Sequence, residues 1–203
     1  MGAKVSEHHL PKVGWGDVVG IAAQAIPERG IVNVTLADVA EALDTDISAV
    51  TYWFQDPGQV LVAVMEIRNN WFLDEARARM APLETQSERL REFLEMSAAD
   101  HDATFWIELW RLSTRDDSAR RARQSLADAV RRTIAGIIRA GQRTGEFGAA
   151  SPDKVALILA ALISGFSVNA TLGDPAVTPE IMLATLLDAA ERLLGAEFVA
   201  GTP

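Results

Sequence analysis

The chain has no cysteine, one tyrosine and three histidines in 203 residues. Without cysteine there is no disulfide, no thiolate nucleophile and no sulfur-bound metal, which fits a reducing cytoplasm. The histidines are an adjacent pair, His8 and His9, and the distant His101, a pattern that makes no metal site. No nucleophile pairing and no phosphate-binding loop is present, so neither an enzyme nor a cofactor is expected. The N-terminus lacks the basic-then-apolar layout of a signal peptide. The longest apolar run, Val155 to Leu172, contains Ser164, Ser167 and Asn169 and has no aromatic or basic flank. It is expected as a buried helix, in a core or a subunit interface, rather than a membrane span.

Positive charge is also scarce. Lys and Arg total 19 against 28 Asp and Glu, a net charge of −9, which argues against a general nucleic-acid coat protein. The shortage is sharpest early in the chain. No Lys or Arg occurs from Gly30 to Ile67, and residues 1–65 set Lys4, Lys12 and Arg29 against eight acidic residues, a net −5.

What the chain has in quantity is apolar surface, 49% of its residues, enough to bury a substantial core. The apolar spacing is helical almost throughout, which predicts an all-α fold of about nine helices without strands. Asp17 is expected to cap a first helix that buries Val18, Ile21, Ala22, Ala25 and Ile26. Pro27 should loosen its last turn and Gly30 should stop it. Thr35 with Asp38 reads as a capping box for a short helix through Leu43. Asp44-Thr45-Asp46 reads as a turn, and a second short helix runs from Ile47 to Phe54. Asp56-Pro57 with Gln59 is a strong start for a helix reaching about Met80. Ser87 is the expected cap of the next helix, and FWIELWRL makes a short aromatic one. Asp116-Asp117-Ser118 opens a long helix to Arg143, stopped by Gly145. Ser151-Pro152-Asp153 and Thr178-Pro179-Glu180 each precede a strongly apolar helix.

Two short helices joined by a tight turn make a helix-turn-helix, and the helix before them completes a three-helix bundle. Leu36, Val39, Ala40, Leu43, Val50, Trp53 and Phe54 are its expected core, while Ser48, Thr51 and Tyr52 lie outward. The pattern Glu28-Arg29-Gly30, Thr35, Asp38-Val39-Ala40, Asp44-Thr45-Asp46 and Tyr52-Trp53-Phe54 resembles the TetR family of transcriptional regulators over about Gly16 to Val64. Phe105 to Thr171 is similar, more loosely, to C-terminal domains of the betaine-regulator type.

That resemblance implies a helix-turn-helix domain over 1–65, with 1–14 as an arm, and a helical ligand-binding and dimerisation domain over 66–203. It implies a homodimer whose two recognition helices enter a DNA operator, and a small-molecule effector that releases them. Thr35 and Tyr52 would contact phosphates, Ser48 and Thr51 base edges or backbone, and Trp53 the backbone. Thr45 and Ile47 stand in the turn and at the start of the recognition helix. The sequence departs from the family in its cations: many members have Lys or Arg in place of Ile47, and Lys where Pro57 stands. Lys4, His8, His9 and Lys12 are candidates to compensate from the arm.

The candidate effector residues are Trp71, Phe72, Phe93, Met96, Phe105, Trp106, Trp110 and Phe166, either as ordinary core or as the wall of a pocket. Glu108, Asp100 and Asp102 beside tryptophans would suit a cation. The last two helices carry more apolar positions than surface helices need and would pair two subunits into a four-helix interface. A second expectation keeps the fold without DNA binding, as a sensor or protein-interaction module.

Overall fold

The computed structural model describes residues 13–30, 33–100, 102–196 and 198. Most of the arm, with Lys4, His8, His9 and Lys12, lies outside them, as do His101 and the Arg29 side chain. The described residues form nine helices and no strand. The chain divides into two compact units that meet at Met65 and Glu66.

The first unit begins with α1, Trp15–Arg29. Its N-cap is Gly14 rather than Asp17. Asp17 lies one turn inside, and its carboxylate accepts the Gly14 N–H at 2.8 Å. Pro27 lies within the helix, which runs on to Arg29, and Gly30 ends it with φ 72°. Helix α2, Leu36–Ala42, opens with the complete Thr35–Asp38 capping box. The turn that follows holds Asp44 at φ 49°, a left-handed conformation that Asp tolerates better than most residues. Helix α3 is shorter than its sequence suggests, Ile47–Thr51. Beyond Thr51 the carbonyl of Val50 accepts the N–H of both Trp53 and Phe54, so the chain tightens and turns out of the helix. Val18, Ala22, Ile26, Val39, Val50, Phe54, Leu61 and Val64 are buried in this unit, and Trp15 tilts against Phe54 with ring centroids 6.2 Å apart.

Helix α4, Pro57–Met80, starts as its Asp-Pro signal predicts, with Asp56 accepting the Gln59 N–H at 3.1 Å. It is one unbroken helix across the boundary between the units.

The second unit is built on α7, Asp117–Thr144, which packs on α5, Gln86–Ala99, α6, Thr104–Ser113, and α8, Pro152–Thr171. Helix α9, Pro179–Leu194, packs on α5 and α8. The cap of α5 is Thr85, paired with Glu88, not Ser87. The core joins Leu90, Phe93 and Leu94 of α5 to Ile134 and Ile138 of α7, Leu159 of α8 and Met182 and Leu186 of α9. After Gly145, in the left-handed conformation, Glu146 turns back onto α5. Its carboxylate accepts the N–H of Gln86 at 2.7 Å and of Ser87 at 3.0 Å. The Phe147 ring lies so close over Gly141 that a Cβ there would stand 2.2 Å from a ring carbon.

Candidate functional site

The outward surface of the helix-turn-helix is short and uncharged except for acids. On α3, Ile47 and Tyr52 are each half exposed, and Ser48 and Thr51 are exposed beside them. Ile47 and Thr51 are one turn apart and share a face. The Thr51 hydroxyl turns back to the Ser48 carbonyl at 3.4 Å. Thr45 is half buried in the turn, where its N–H donates to the Ala40 carbonyl.

Two expected DNA contacts are engaged within the protein. The Trp53 indole N–H donates to the Val13 carbonyl at 2.9 Å, tying the entry to α1 to the end of α3. The Thr35 hydroxyl donates to Asp38 at 2.6 Å and accepts the Asp38 N–H. A helix N-terminus is a natural phosphate seat because its N–H groups are unpaired and its dipole is positive. Here Asp17, Asp38 and Asp56 occupy the starts of α1, α2 and α4 with carboxylates.

In the second unit, four of the eight effector candidates come together. Phe72 meets Phe93 edge to face at 5.7 Å, and Met96 and Phe166 belong to the same cluster. Trp71 does not join them: one residue before Phe72 and about 100° round the helix, it is 65% exposed. Phe105 is buried, and Trp106 and Trp110 are half buried on α6. The Arg68 guanidinium stands 5.0 Å over the Phe105 ring and 3.9 Å from Asp100. Glu108 is held by Arg111 at 3.1 Å. Asp102 accepts from the Thr104 hydroxyl and N–H at the start of α6.

Sequence reading missed Asn69. It lies on the inward stripe of α4 and is 8% exposed. The available signal was a carboxamide at helical spacing with Phe72, Leu73 and Ala76, where an apolar residue is the norm. The arginines of α7 are in part the paired surface expected: Arg120 bonds Asp117, Arg131 bonds Asp128 and Arg139 bonds Asp153. Among the described residues, no cluster of His, Asp or Glu has the makings of a metal site.

A three-helix N-terminal unit with a helix-turn-helix, joined through one long helix to a separate helical bundle, defines the class of ligand-regulated helix-turn-helix transcription factors. Within that class the chain belongs to the TetR family, in its BetI-type group: the family described as BetI-type transcriptional repressor, C-terminal, matches residues 83–195. Similar solved structures include a transcriptional regulator from Saccharomonospora viridis in complex with choline, 25% identical with a TM-score of 0.79, covering 88% of this chain and 96% of that one. A TetR-family regulator from a Rhodococcus species is 24% identical with a TM-score of 0.71, over 88% and 96%. A TetR regulator from Haloarcula marismortui is 19% identical with a TM-score of 0.77, over 88% and 97%. No curated protein matches the sequence.

Proposed function

We propose that this protein is a cytoplasmic, homodimeric repressor that holds operator DNA through α3 and releases it when a small organic cation enters the helical unit. The observation that carries the reading is α4. The same unbroken helix contributes Val60, Leu61 and Val64 to the core of the first unit and Phe72, Leu73 and Ala76 to that of the second. A shift of α4 on ligand binding therefore acts on α3 in both subunits. Only a spacing near one DNA turn, ~34 Å, suits two half-sites. A tenfold loss of operator affinity needs only about 1.4 kcal/mol of differential binding.

A second copy is the natural cover for α8 and α9. Helix α8 is long and apolar enough to cross a membrane by composition, yet Leu157 and Ile158 on it and Ile181 on α9 are each 41–54% exposed in one protomer. Pairing of these faces would bury them. Leu157→Glu should leave the helical spectrum intact and give a monomer in sedimentation; a dimer that survives it would move the interface elsewhere.

The cation assignment has two supports. The regulator from S. viridis was solved with choline. This unit already seats a cation, the Arg68 guanidinium, between an aromatic face and a carboxylate. Choline should raise the melting temperature, and its uncharged isostere 3,3-dimethylbutan-1-ol should not; the reverse order would sink the cation.

A mobility shift on the DNA upstream of the protein's own gene tests operator binding. Because α3 and its flanks carry no cation, few counterions are released and the slope of log affinity against log salt should be shallow. A slope steeper than about −7, equivalent to roughly eight neutralised phosphates, would overturn this electrostatic picture. The acidic first unit favours one alternative, a sensor on the same fold that has lost DNA binding, and absence of any shift would establish it.

A further inference from the structure

The helix proposed to meet DNA is short enough for its outward chemistry to be read residue by residue. Of the five residues of α3, only Val50 is buried, and Tyr52 extends the helical backbone by one position. Helical spacing sorts the exposed side chains into two rows. Ser48 and Tyr52, one turn apart, make a row of hydroxyls. Ile47 and Thr51, also one turn apart, make a row of methyl groups. The Thr51 hydroxyl donates to the Ser48 carbonyl at 3.4 Å, so its proton is engaged within the helix and its γ-methyl is what it has left to offer.

One exposed isoleucine is ordinary on a protein surface. Ile47 is distinguished by its company. Among the described residues of the first unit, three large apolar side chains are exposed, and two of them, Ile47 and Tyr52, bracket α3. In the major groove, guanine presents acceptors that suit Arg or Lys, adenine a donor and acceptor that suit Asn or Gln, and thymine a methyl group. Helix α3 carries no Arg, Lys, Asn or Gln. The nearest carboxamide, Gln55, stands beyond the point where the chain turns out of the helix. Asp46, at the start of α3, suits only a base amino group, chiefly that of cytosine. The Ser48–Tyr52 row can bond to any base and so discriminates little. The base feature that matches the Ile47–Thr51 row is the C5-methyl of thymine.

We infer that Ile47 is a specificity-determining residue, packing on a thymine C5-methyl in each half-site with the Thr51 methyl beside it. The inference rests on the proposed operator binding and deepens it by naming the base that α3 reads. Apolar contact needs no charge, so the acidic surroundings that weaken phosphate contacts leave it intact.

The test uses the full chain. A duplex pool with a randomised centre is selected against the wild type, and the enriched site is resynthesised with uracil, which is thymine without its methyl, at one thymine per half-site in turn. Binding should weaken by about fourfold for each critical methyl lost, ~0.8 kcal/mol, and so by about fifteenfold when both half-sites change. That ratio should hold from ~0.05 to ~0.2 M salt, because the two duplexes carry the same phosphates. Ile47→Ala, half exposed and so expected to keep its melting temperature, should bind the thymine and uracil duplexes within twofold of each other. If the wild type binds every uracil duplex as well as the thymine one, the inference is overturned while operator binding stands. Full discrimination retained by Ile47→Ala also overturns it, since another group then reads the methyl. If no sequence is enriched at all, operator binding itself fails and the inference falls with it.

Discussion

The two units differ in what their carboxylates pair with. In the helix-turn-helix unit, Asp17, Asp38 and Asp56 turn onto backbone N–H groups at the starts of their own helices. In the helical unit, many acids turn onto arginines: Asp74 with Arg77, Glu92 with Arg79, Glu95 with Arg91, Asp153 with Arg139. The stretch from Gly30 to Ile67, which holds Asp38 and Asp56, has no Lys or Arg of its own. A carboxylate at a helix start is favoured there by the positive end of the helix dipole. The consequence is functional. The first unit is stabilised by the very groups that repel phosphate, whereas many acids of the second are paired with arginine in place. Stability and DNA affinity therefore oppose each other in one unit and are separable in the other.

The largest effect that sharpens this contrast lies in the second unit. Gly141→Ala places a methyl against the Phe147 ring, in a spot where the helix and the following turn are tied by the Glu146 and Phe147 N–H groups donating to the Gly141 carbonyl. The ring has to move, at a cost of about 3 kcal/mol. Denaturant melts should show the loss, while the first unit's affinity for DNA, measured well below the transition, stays within twofold. A large change in affinity would mean the two units are not separable in this way.

Glu146→Gln is next. Glu146 also turns onto backbone N–H groups, but onto those at the start of α5, from beyond the far end of α7. Burial pushes its carboxyl up, but the Thr144 hydroxyl and the N–H groups of Ser87 and Gln86 outweigh that and hold it below the ordinary carboxylate range. A depressed carboxyl stabilises the fold fully above its unfolded value, near 4.5, and loses that contribution as pH falls through the folded value. The variant should therefore be about 1–2 kcal/mol less stable at neutral pH, with the gap closing only below pH 4.5. A gap independent of pH down to the acid limit would mean the charge on Glu146 is irrelevant.

How much of this was legible in the sequence depended on range. The capping box at Thr35 and Asp38, the start at Asp56 and Pro57, the Asp116 cap and the Thr178-Pro179 start are all decided within three residues, and the structure has each of them. Where the reading slipped, the signal was also local: Thr85 has Glu88 three residues on, whereas three residues after Ser87 stands Leu90. The site was less legible because it depends on helix phase and on tertiary partners. Trp71 and Phe72 are adjacent, yet one faces solvent and the other the core. Trp53 reads as a DNA contact by position, and only the fold reveals that Val13 holds its N–H. Asn69 was visible as a polar residue on an apolar stripe, but how deeply it is buried is a property of the packed bundle.

The smallest effect is the most telling about the first unit. Asp38→Asn keeps an oxygen that can accept the Thr35 N–H but removes the charge at the start of α2. The stabilisation given up is that of a carboxylate on a helix dipole, about 0.5–1 kcal/mol, read as a lowered melting midpoint. The same change takes one negative charge per subunit away from the surface proposed to face phosphates. At ~0.1 M salt a like charge within about one Debye length of phosphates costs a few tenths of a kcal/mol, so two subunits together should tighten operator binding by about threefold. The gain should shrink as salt rises, because screening weakens the repulsion that was removed. A destabilised variant that binds DNA more tightly has one explanation, a carboxylate that serves the fold against the operator. If instead affinity falls in step with stability, Asp38 acts on DNA only by shaping α2, and the opposition between the two roles disappears.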